Sequence, residues 1–166
     1  MLHSLIKKFE NVVTIDQVSA HCDIPCKIYD PSGAQIAALS IIRFIDLIEE
    51  LNAKGSLSLS DQAQLSRLVR EKEIHGQKVK DEVNTIWGDY FKQPQFEQFP
   101  DTHNLVHKIM LTGSACKQHI NREKALELLA LVNEFAASFW ASKGIETHIA
   151  KCPYLPAQDT VYPVIS

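Results

Sequence analysis

The sequence predicts an all-α protein, an antiparallel up-down four-helix bundle with a short non-helical segment before it and an extended tail after it. Two observations predict this. Apolar residues recur at three- and four-residue steps in four stretches between positions 32 and 144, the period of a helix with one buried face. The connections between those stretches are short and punctuated by glycine, proline or polar residues, which forces consecutive helices to lie side by side in opposite directions. With 45% hydrophobic residues in 166, the chain can bury one proper core. The predicted organisation is a removable pro-segment at 1–20, a donor-rich segment at 21–31, the bundle at 32–144 and an irregular tail at 145–166.

Residues 1–20 carry Lys7, Lys8, Glu10 and Asp16 and have no apolar run longer than Val12-Val13, so the continuous core of a secretory signal is missing. Val18-Ser19-Ala20 resembles the small-residue side of a cleavage site. A pro-segment removed in the cytoplasm fits both facts, and an amphipathic lead-in helix fits the stretch as well. The first bundle helix starts at Pro31-Ser32, shows Ile36, Leu39, Phe44, Leu47, Ile48 and Leu51 inward, and stops at Lys54-Gly55. Ser58 and Asp61 are spaced as a capping box for the second. That helix places Leu65, Leu68, Val69, Val79, Val83, Ile86, Trp87 and Tyr90 on one stripe, with Gly76 its weak point.

Pro94 is expected to stop the second helix, and the loop 95–99 to cover a bundle end with two phenylalanines. Pro100 suits the first turn of the third helix, with Leu105, Val106, Ile109, Met110 and Cys116 inward. Asn121 is the expected N-cap of the fourth, whose apolar face is Leu126, Leu129, Val132, Phe135, Phe139 and Trp140 and whose stop is Gly144. Beyond it, Pro153, Pro156 and Pro163 break any helical period. No strand signal is strong enough to argue for a sheet, and Cys152 reads as an exposed thiol.

Composition excludes several classes of partner. Net charge is −3 and the basic residues are scattered, so neither nucleic acid nor an anionic membrane surface has electrostatic support. The longest apolar-rich stretch, 36–51, is interrupted by Arg43, Asp46, Glu49 and Glu50, far short of the ~20 apolar residues a span needs. The expected compartment is the cytoplasm.

One stretch has no packing purpose: His21-Cys22-Asp23-Ile24-Pro25-Cys26-Lys27-Ile28-Tyr29-Asp30-Pro31. An imidazole and two thiols select zinc, copper, nickel or iron–sulfur chemistry. A closed zinc site needs four ligands, usually from two paired clusters, and no second cluster lies near in sequence. If cleavage after Ala20 freed the His21 amine, that amine, the Cys22 amide nitrogen and the Cys22 and Cys26 thiolates would complete a square plane, which suits Ni(II) or Cu(II). The plainer alternative is a C-x-x-x-C disulfide or a pair of surface thiols.

This segment resembles the nickel hook of the nickel-containing superoxide dismutases, H-C-D-x-P-C-G-x-Y-D-P, departing only at Lys27, where that family usually has glycine. Trp87-Gly88-Asp89-Tyr90-Phe91-Lys92 and Pro94-Gln95-Phe96-Glu97 are similar to its W-S-D-Y-F-K-P-P-x-F-E stretch. The resemblance runs from His21 to about Gly144. It implies one nickel ion per subunit, held by the His21 amine and imidazole, the Cys22 thiolate and amide nitrogen and the Cys26 thiolate. It implies disproportionation of superoxide by Ni(II)/Ni(III) cycling, with Tyr29 ordering water at the open face and Asp23 fixing the loop. Pro25 would make a tight turn and Tyr90 would hydrogen-bond Tyr29. Counting without gaps puts Ala37 and His75 where familiar members have a glutamate and an arginine steadying the axial imidazole, so His75 is expected to take over part of that task. A maturation protease and a homohexamer are further implications. The alternative function is a non-catalytic nickel or copper carrier.

Overall fold

The computed structural model describes residues 27–165. Four long helices form the bundle: α1 (Ser32–Asn52), α2 (Leu59–Thr85), α4 (Thr102–Gln118) and α5 (Arg122–Ser142). Each packs on two neighbours, α1 on α2 and α5, and α4 on the same two, closing a ring around the main core, with a smaller cluster of Ile48, Leu51 and Leu68 between α1 and α2. Ala37, Ala38, Ile41, Ile45, Val79, Val83, Ile109, Leu128, Val132, Phe135 and Phe139 fill that core. The three- and four-residue periodicity of the sequence is thus spent largely as expected, on stripes that face inward, but Ile36, expected inward, is 50% exposed because Ala34, Ala37 and Ala38 hold the inward positions of that turn.

The ends of the helices follow their local chemistry. The Ser58 hydroxyl accepts from the Asp61 amide while the Asp61 carboxylate accepts from the Ser58 amide, the expected capping box. Lys54 adds an ion pair to the same carboxylate at 2.6 Å, and these partners hold Asp61 down to a pKa of about 2. Asn121 Oδ1 accepts from the Lys124 amide and opens α5. The C-terminus of α4 has a cap the sequence did not announce: Lys72, 2% exposed, donates from Nζ to the carbonyls of Cys116 and Lys117 at 2.6 and 2.7 Å. These are carbonyls a helix end leaves orphaned, so the buried cation satisfies them.

Three parts differ from the sequence expectation. Helix α2 passes into a π-helical turn over Ile86–Tyr90, where the Phe91 amide reaches back to the Ile86 carbonyl. Residues expected as a loop form a short helix α3 (Gln93–Gln98) that Pro94 starts instead of stopping, and Pro100 lies just before α4. Phe96 and Phe99 still pack against the core, as expected.

The tail is extended, as expected, but it is also ordered into an antiparallel pair, β1 (Thr147–Lys151) and β2 (Asp159–Pro163), in register Thr147 to Pro163 and Lys151 to Asp159. This hairpin folds back on its own bundle and buries Cys152, Thr160 and Val161. Cys152 is therefore not the exposed thiol expected: it is 3% exposed and its Sγ donates to the Tyr154 carbonyl. Its burial depends on a fold-back that local sequence does not encode. Among the described residues, no helix is long and apolar enough to cross a membrane.

Candidate metal centre

His21, Cys22, Asp23, Pro25 and Cys26 lie outside the described residues. The structure shows the root from which that segment leaves. Lys27 has φ 53, in the left-handed region where every side chain except glycine's carries a steric cost. The lysine thus keeps the turn that glycine would make freely. Asp30 then accepts from the Ser32 amide at 2.8 Å, satisfying one orphan donor at the start of α1.

Between those two residues stands Tyr29, half-buried, with its ring 5.9 Å from that of Tyr90 and tilted 53° to it. Tyr90 reaches this place because the π-helical turn ends α2 there. Its ring contacts Phe139 at 4.8 Å and Phe91 at 5.4 Å, both buried. Its hydroxyl lies 2.8 Å from Ser142 Oγ. That serine gives its own proton to the Phe139 carbonyl at 2.6 Å, which makes Tyr90 the donor. The Tyr90 proton is therefore turned to Ser142, and the two tyrosines meet through their rings. Lys143 completes the wall, its Nζ 4.9 Å from the centre of the Tyr90 ring and 5.0 Å from that of Phe139.

The other expected positions lie further along. Ala37 has no exposed surface and faces the helical core. His75 sits half-buried on α2, its ring edge-on to Phe44 of α1 at 5.1 Å and its Nδ1 2.8 Å from the Glu71 carbonyl, to which it donates. Phe44 lies twelve residues into α1, about 18 Å along the helix from Ser32. The structure thus brings Tyr29 and Tyr90 together and leaves His75 at mid-bundle.

The donor chemistry fits a nickel ion. Imidazole with two thiolates suits a borderline metal, and the described cysteines offer no rival. Cys116 is sealed in the core, where burial pushes its thiol up to about 11 and keeps it protonated. Cys152 is buried under the hairpin. Sequence reasoning missed Lys143 and Ser142, which come from the far end of the chain. The only signal was their place in the last turn of an expected helix.

The comparisons with known proteins agree with this geometry. A family model described as nickel-containing superoxide dismutase matches residues 16–143. The superoxide dismutase [Ni] of Streptomyces seoulensis is 34% identical over 130 residues, covering 76% of this chain and 91% of that protein. Its counterpart from Streptomyces coelicolor is 34% identical over 129 residues, covering 76% and 90%. A native nickel superoxide dismutase structure superposes with a TM-score of 0.63 at 31% identity, covering 74% of this chain and 99% of that one. A second, with nickel ligation corresponding to the oxidised state, does so at 0.63 and 30%, covering 75% and 99%. By sequence, fold and donor set, the chain belongs to the nickel-containing superoxide dismutase family.

Proposed function

We propose that the protein disproportionates superoxide into dioxygen and hydrogen peroxide at a nickel ion held by its own N-terminal segment. The observation that carries this reading is the Tyr29–Tyr90 pair, walled by Lys143, at the root of the H-C-D-I-P-C segment. Two superoxide anions and two protons give one dioxygen and one peroxide. Nickel, when bound, supplies the one-electron couple that anionic thiolate and amide donors bring within reach of superoxide. The residues that would hold it are His21 through its amine and imidazole, Cys22 through thiolate and amide nitrogen, and Cys26 through its thiolate, one ion per subunit.

The chain's own groups do the rest. Tyr29 and Tyr90 narrow the approach so that a diatomic anion passes and larger anions do not. The Tyr90 ring is fixed for this by its bond to Ser142 and its contacts with Phe139 and Phe91. Tyr29 orders water from which the two protons are drawn, and Asp23 and Pro25 shape the loop. In this reading His75 supports the site only through the packing of α2 on Phe44.

Removal of residues 1–20 by a maturation protease is part of the proposal, since it creates the His21 amine. Assembly as a homohexamer and residence in the cytoplasm belong to it too, supported by the family resemblance and by the absence of a signal-like apolar run in 1–20. Mass spectrometry with metal analysis on one cellular sample tests it. The expected mass begins at His21 with one nickel per chain, and protein retaining the leader is inactive. Full dismutase activity in unprocessed protein would overturn the mechanism, because the amine ligand would not exist. Bound nickel without turnover in the processed form would favour the carrier.

A further inference from the structure

We infer that the C-terminal hairpin is a positioning element for the metal-bearing segment, acting on its root through Gln35. The inference rests on the metal-site reading above, but the hairpin itself lies beyond residue 143, where the family match ends.

Gln35 belongs to the first turn of α1 and is 4% exposed. Its backbone amide bonds the Pro31 carbonyl at 3.1 Å, so it is tied directly to the last residue of the H-C-D-I-P-C-K-I-Y-D-P stretch. Its side-chain Nε2 donates to Asn133 Oδ1 of α5 at 3.0 Å and to the Val161 carbonyl of β2 at 2.9 Å. Asn133 closes the network: its Nδ2 donates to the Asp159 carbonyl at 2.9 Å and its Oδ1 accepts from the Val161 amide at 3.2 Å. One amide pair thus locks the start of α1, the middle of α5 and strand β2 to one another.

The buried Gln35 amide needs its partners, so this joint has one geometry and resists sliding. Beside it, the hairpin residues Tyr154, Thr160 and Tyr162 and the α5 residue Trp140 line a cleft whose other wall includes Asp30 and Ser32. A chain end carrying a metal loop frays unless something ties it down. Here the tie is supplied in cis, by the same chain's other end.

The prediction concerns the Lys27–Ile28 bond, exposed at the root. Two variants of the full chain serve, one ending at Gly144 and one carrying Gln35→Met, which keeps the side-chain volume and removes both Nε2 bonds. Native-state trypsin cleavage after Lys27 is compared with cleavage after Lys54, in the loop at the opposite end of α1. The expected result is a rise of about tenfold after Lys27 with no change after Lys54. Activity of the nickel-loaded, processed variants should fall about tenfold, the lower end of what outer partners contribute in metal sites. An unchanged rate after Lys27, or a parallel rise at both sites, would overturn the inference. If the wild-type nickel form showed no dismutase activity, the functional reading would fail while the trypsin comparison still reported on the positioning.

Discussion

Cys116 shows how much of a residue's chemistry is set by what surrounds it. It has no exposed surface, and burial lifts its thiol from 9.0 to about 11. In the unfolded chain the thiol loses its proton near pH 9, whereas the folded protein keeps it until about 11. Stability therefore falls as pH rises through that window. Urea unfolding under reductant should show the stability of wild type falling relative to Cys116→Ala by about 1 kcal/mol between pH 8 and pH 10. Lys72, whose Nζ burial pushes below its usual 10.5, titrates in the opposite sense in both proteins, and in the wild type its charge also couples to the Cys116 thiolate. A constant difference between the two proteins would show that the thiol titrates alike in both states. The burial of Cys116 was legible, because it falls on the apolar stripe of an expected helix. That of Lys72 was not, since the carbonyls that pay for its desolvation lie on another helix.

At the scale of the element, Gly76 changes meaning between sequence and structure. As a residue in a helix it is a weak point, worth about 1 kcal/mol against alanine. In the fold it stands where α2 passes close to α4, facing Gly113, and a Cβ added to it would lie 2.6 Å from Lys117 Cγ. Gly76→Ala should therefore lose about 1 kcal/mol net, because crowding in a packed contact costs ~1–3 kcal/mol and exceeds the propensity gain. Gly88→Ala, with nothing within 4 Å of its added Cβ, is the control and should not destabilise. A stabilised Gly76→Ala protein in denaturant titration would show that the helices can part without loss. The caps at Ser58 and Asn121 were legible because their partners lie three residues away. The hairpin was not: its strands are five residues each, flanked by prolines, and Gln35 and Asn133 on α1 and α5 help hold β2 in place.

For the whole molecule the question is how an anion finds one end of a protein that carries a net charge of −3. Uniformly spread, that charge would repel superoxide, so the approach depends on where the cations stand. Lys143 occupies the C-terminal cap of α5, where the negative end of the helix dipole favours an ammonium, and the faces of Tyr90 and Phe139 hold it beside the tyrosine pair. Lys27 and Lys92 belong to the two segments that carry Tyr29 and Tyr90 to that end. A local cation raises the encounter rate of an oppositely charged substrate by at least about tenfold in favourable cases, and salt screens the effect over ~10 Å. Pulse radiolysis of the nickel-loaded protein should thus give a kcat/KM that falls with ionic strength. Lys143→Glu should lower it about tenfold at low salt, with the two proteins converging as salt is raised. Lys143→Arg keeps the charge over the rings and should retain both the rate and its salt dependence. Coincident rates and slopes for the wild type and Lys143→Glu would mean that the field at the tyrosine end is set by other groups.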